Sequence, residues 1–173
     1  MFIQKSDVQN LAKSFSYAFK GITYCIKNER NMRIHFCMTI LVAVFSYFYK
    51  TTSSEFVILT ICIGFVISSE MVNTAIETLV NLESPCYNSL AKIAKDVAAG
   101  AVAISAIVAL VAGCVIFMKP NRLLNALTII ALNPIYIAIF VVLIVASILF
   151  IFNGPRLYGE KTTRVYDIKT KRK

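Results

Sequence analysis

Glu70, Asn73 and Glu77 fall at i, i+3 and i+7, so two carboxylates and an amide share one face of any helix that contains them. Residues 56–69, immediately before, carry no charge and are mostly apolar. An acid in such surroundings costs about 2.5–3.5 kcal/mol on insertion scales and is retained where it does chemistry or moves ions. Glu70, the deeper of the two, could accept a proton from a lipid hydroxyl. Glu77 and Glu29 could hold a hard divalent ion such as magnesium, with phosphates and water completing its octahedron. Lys95 could meet phosphate as a point charge.

Each residue also has a plainer reading. Glu29, beside Arg30 and Arg33, could be a salt-bridged interfacial acid, and Glu77, followed by Asn81, a solvated helix end. For Glu70 the alternative is a polar contact between helices. His35 reads as an interfacial or packing residue rather than a ligand. Lys95 and Asp96 could cap and charge the start of a helix, although a lysine there opposes the macrodipole and so points to a ligand.

The elements that must position these groups are apolar. The chain has 173 residues, 58% hydrophobic, and a mean hydropathy of +0.71. That fits one small helical membrane domain rather than a soluble one. Four spans are expected, at about residues 34–49, 55–82, 97–118 and 134–152, with 123–132 as an apolar stretch too short to cross. Residues 1–30 alternate apolar positions with Lys5, Lys13, Lys20 and Lys27 and read as one or two amphipathic helices on the membrane surface. The third span opens with small residues at 97–103, and Gly64 and Ser68 form a small pair on the second, a pattern for close helix packing.

The net charge of +9 could suggest nucleic acid, but the basic residues flank apolar runs, where anionic lipid headgroups are the expected partners. Fifteen lie on the side of the two termini and three, Lys50, Lys119 and Arg122, on the other, which puts both termini in the cytoplasm. In that orientation Glu70, about 21 Å along its helix from residue 56, lies in the cytoplasmic leaflet of a core about 30 Å thick. Glu77 approaches the interface, where one reactant could come from lipid and another from water. No secretory signal with an apolar run and small-residue cleavage site is evident. Five cysteines without a CxxC pair, and a single histidine, argue against structural zinc. No P-loop or dinucleotide-binding glycine pattern is present, and no serine or cysteine nucleophile has a plausible histidine partner, His35 being the single histidine.

Three stretches, Glu29-Arg30-Asn31-Met32-Arg33-Ile34-His35, Glu70-Met71-Val72-Asn73-Thr74-Ala75-Ile76-Glu77 and Ala91-Lys92-Ile93-Ala94-Lys95-Asp96-Val97-Ala98-Ala99-Gly100-Ala101-Val102, resemble the prokaryotic diacylglycerol kinase family. The resemblance covers roughly residues 10–118. It implies an all-α integral membrane fold, an amphipathic surface helix and a three-helix kinase core, here in residues 1–118; residues 119–173 depart from that pattern by adding a fourth transmembrane helix and a basic tail. It further implies transfer of the ATP γ-phosphate to a lipid alcohol in a bacterial plasma membrane, by homotrimers with active sites shared between protomers. Glu70 would be the catalytic base, and Glu29 and Glu77 would coordinate the magnesium bound to ATP. Tyr17, Lys95 and Asp96 would contribute to the nucleotide site, and Asn73 would support the polar cluster.

The wording is closer to the Gram-positive branch, which favours undecaprenol, with diacylglycerol as the alternative acceptor. Asn81 stands where the family usually has aspartate, and Asn88, at the nucleotide site, where it usually has histidine. A non-enzymatic ion-conducting bundle or a scaffold subunit is the competing class.

Overall fold

The computed structural model describes the backbone of residues 5–83 and 88–154, and side chains from residue 10 onward within those ranges. Residues 84–87, and residues 155–173 with the basic tail noted above, lie outside the described residues.

The described residues form six helices and no strand: α1 (Lys5–Asn28), α2 (Arg30–Tyr49), α3 (Ser53–Glu83), α4 (Ser89–Phe117), α5 (Pro120–Leu132) and α6 (Pro134–Asn153). Helices α2, α3, α4 and α6 are each long and apolar enough to cross a membrane. The chain is thus an all-α integral membrane protein.

The surface segment is a single helix, α1, whose Leu11, Phe15, Tyr17 and Phe19 stay exposed. An apolar stripe left uncovered on a lysine-rich helix is what a lipid interface accepts. Glu29 breaks the chain out of α1 with φ −103° and ψ 123°, and α2 starts at the next residue. The first span therefore begins four residues earlier than its apolar run, taking in Arg30 and Arg33. Arg33 is tolerated because its Nη1 donates to the Lys27 carbonyl at 3.1 Å, and more weakly to that of Ile26, among the last carbonyls of α1.

Helix α3 is 31 residues long, roughly 46 Å, and so overruns the hydrocarbon and can carry Glu77 to an interface. It packs closely along α4, with the Ser69 and Ser105 hydroxyls 3.0 Å apart. The third span also begins earlier than its apolar run, because Asn88 caps α4 by accepting from the Leu90 and Ala91 amides. Lys95 and Asp96 thus lie well inside the helix and do not cap it.

The buried apolar cluster lies at the end of the helices away from Glu70 and Glu77. Tyr49, Leu59, Ile116 and Ala126 form it, flanked by Phe45 and Phe117. The Tyr49 hydroxyl donates to the Ile116 carbonyl at 2.7 Å. Beside it Glu55 binds Lys119 at 2.7 Å and Arg122 at 2.9 Å. Arg122 also donates to the Lys50 carbonyl, lies over the Tyr49 ring, and joins α5 to the turn where Lys50 takes a left-handed φ of 55°. At the opposite end α6 returns to α2, where Arg33 meets Gly154 and Arg30 lies over the Phe152 ring. Lys50, Lys119 and Arg122 therefore share one end of the bundle, while Glu29, Arg30 and Arg33 share the other with Gly154.

Candidate active site

Glu70 projects from α3 and is 2% exposed, and its Oε1 has no hydrogen-bond partner. One turn on, buried Asn73 donates to Glu77 Oε1 at 3.0 Å, leaving its own Oδ1 unpartnered. This is the face read from the i, i+3, i+7 spacing. Glu29 joins it from the α1–α2 break, within electrostatic reach of both Glu70 and Glu77. Burial pushes the Glu29 carboxyl above its ordinary value, the Glu77 charge pushes it further, and Arg33 offsets only part of this. Two adjacent half-buried carboxylates with so little compensation are an electrostatic deficit that a divalent cation would relieve. Among the described residues no three His, Cys, Asp or Glu side chains converge as a metal cluster. A hard ion would therefore need further oxygens from elsewhere.

Two cavities lie beside this cluster. One, of about 340 Å³, is lined by Asn31, His35, Glu70 and Asn73 together with Ala99, Ala103 and Ala106 of α4. The small residues of α4 thus do more than let α3 approach: opposite α2 they leave space. The second, a groove of about 510 Å³, is almost wholly apolar and runs between α2, α3 and α4 toward Phe117 and Met118. Ile34, His35 and Ala106 line both, so the apolar groove adjoins the cavity that Glu70 lines. Gly64 and Gly100 face open space, and a Cβ added at either would meet nothing within 4 Å. Close packing by those two glycines is not made within this chain.

The remaining sequence-derived residues lie outside this cluster. Lys95 Nζ donates to Asn81 Oδ1 at 2.6 Å, linking α4 to the end of α3, and Asp96 beside it is exposed. Asn88 spends its carbonyl oxygen on the α4 cap. Tyr17 is 66% exposed on α1, with the Lys20 ammonium 5.6 Å from its ring centre. Its twelve-residue separation from Glu29 amounts to about 18 Å of helix. Three residues passed over or read as packing belong to the site. Asn31 and His35 line the polar cavity, and Arg33 fixes the break that presents Glu29. Asn31 and His35, four apart on an apolar helix, carry the same signal as Glu70 and Asn73.

A family model described as prokaryotic diacylglycerol kinase matches residues 16–117. The chain belongs to that family. Among curated proteins it is 34% identical over 114 residues to an undecaprenol kinase of Bacillus subtilis, covering 66% of this chain and 93% of that one. It is 37% identical over 112 residues to a diacylglycerol kinase of Synechocystis, covering 64% of each. No solved structure gives a significant match. Family membership makes the protein a membrane lipid kinase, and the matched region contains the whole acid cluster while ending before α5 and α6.

Proposed function

We propose that the protein transfers the γ-phosphate of ATP to the hydroxyl of undecaprenol, in a bacterial plasma membrane with both termini cytoplasmic. One observation carries the reading: a buried, unpartnered carboxylate oxygen lines a cavity that adjoins an apolar groove at Ile34, His35 and Ala106. A lipid alcohol lying in the groove would bring its hydroxyl to Glu70, which takes the proton as the oxygen attacks phosphorus. Similarity to an undecaprenol kinase favours the isoprenoid acceptor. Similarity to a diacylglycerol kinase keeps that acceptor as the second reading.

Glu29 and Glu77 would hold the magnesium of the nucleotide, which when bound neutralises phosphate charge. Asn73 orients Glu77 through its 3.0 Å hydrogen bond. Lys95 is paired with a neutral amide rather than an acid, so its full charge remains free to attract phosphate. Asp96 and Asn88 would border the nucleotide from the same end of α4. Tyr17 stands about 18 Å of helix from Glu29, a separation that would suit the homotrimer implied by the family resemblance, in which surface helices serve neighbouring sites.

The test incubates purified protein with radiolabelled ATP, magnesium and either undecaprenol or diacylglycerol. Label should enter undecaprenol, and Glu70→Gln should lower turnover by at least about 100-fold while magnesium-ATP still binds. An active Glu70→Gln enzyme removes the assigned base. Ion flux into liposomes with no labelled lipid would instead favour the ion-conducting class.

A further inference from the structure

We propose that His35 is a second catalytic residue, donating a hydrogen bond to the acceptor hydroxyl while Glu70 removes its proton; this rests on the reading of Glu70 given above. His35 Nε2 lies 4.0 Å from Glu70 Oε1. That is too long for a direct hydrogen bond, which needs about 2.7–3.2 Å, yet one oxygen can sit about 2.8 Å from both atoms. The Glu70 atom concerned is the one with no partner. His35 retains 23% side-chain exposure and lines the apolar groove and the polar cavity alike, so it stands where a chain-borne hydroxyl would end.

The hydroxyl would donate to Glu70 Oε1 and accept from the imidazole N–H, which turns a lone pair of the oxygen toward the nucleotide. In the step itself an oxygen–phosphorus bond forms and the bond from the γ-phosphorus to the bridging oxygen breaks. ADP leaves with that electron pair, the hydroxyl proton moves to Glu70, and His35 keeps its own proton. The role asks for a neutral donor, so a primary amide should replace the imidazole and an apolar side chain should not.

The experiment measures steady-state kinetics of full-length His35→Gln, His35→Leu and His35→Met with undecaprenol and magnesium-ATP. The apolar variants should lose roughly 10- to 100-fold in kcat/KM for the alcohol. Their KM for ATP should stay within about twofold of the parent, the readout a folding defect would not spare. His35→Gln should regain most of the loss. Parent-like kcat/KM in either apolar variant overturns the proposal. So does a His35→Gln enzyme as impaired as the apolar ones while its ATP KM is unchanged, since that outcome demands imidazolium charge. Glu70→Gln reports separately on the base: an active Glu70→Gln enzyme sinks the underlying reading whatever the variants at 35 show.

Discussion

Glu29 sits half-buried in the field of Glu77, so protonation relieves it at a higher pH than for an ordinary glutamate of pKa 4.5. Protons should therefore compete with magnesium in a window above 4.5, and the magnesium concentration giving half-maximal rate should rise as pH falls through it. Titration of the rate with magnesium at several pH values checks this, and Glu29→Gln should flatten the dependence while weakening magnesium-ATP binding. The effect on folding has the opposite sign to that of a salt-bridged acid. A raised native pKa means the ionised form is disfavoured in the fold above that value, and the penalty vanishes below the unfolded pKa. Without divalent ions Glu29→Gln should thus melt higher than the parent at pH 8, with the gain shrinking toward pH 4.5. Glu70, Asn73 and Glu77 were legible in the sequence because their convergence is a property of one helix. His35 offers a similar local signal with Asn31, four residues before it, but its 4.0 Å approach to Glu70 spans two helices and no local pattern encodes it.

Among the elements, the spans could be read from hydropathy, but their starts could not, because polar residues prolong α2 and α4 into the interface. Arg33 does so by holding the α1 carbonyls, and Asn88 by capping. The α6 contact with α2 was also beyond reach, since it rests on pairings distant in sequence, Phe48 with Tyr136 and Phe140 and, just past α6, Arg33 with Gly154. A Cβ at 154 would stand 2.6 Å from Arg33 Nε. Gly154→Leu should displace Arg33, lower stability by about 1–3 kcal/mol, and raise the KM for magnesium-ATP through the neighbouring Glu29. At the other end Tyr49→Phe removes the hydrogen bond to the Ile116 carbonyl and should cost about 1 kcal/mol in thermal unfolding, leaving kcat unchanged.

For the whole molecule, the alternation of ends anticipated from the basic residues agrees with the contacts of Glu55 at one end and Arg33 at the other. Assembly is a separate matter, since it concerns surfaces that a single chain leaves open. If Tyr17 serves a neighbouring site, mixing inactive Tyr17→Ala and Glu70→Gln chains before reconstitution should restore measurable kinase activity, because some sites then draw an intact residue from each. A mixture as inactive as its parts would confine each site to one chain.

The packing of Arg33 beneath Gly154 also bears on how the enzyme is made. These residues are 121 positions apart, so at 5–20 residues per second roughly 6–24 s of translation separate the hinge beside Glu29 from the residue that seats it. The hinge beside Glu29 is thus made early and seated late, and a nascent chain released before α6 would hold every acid of the cluster without the Arg33–Gly154 contact.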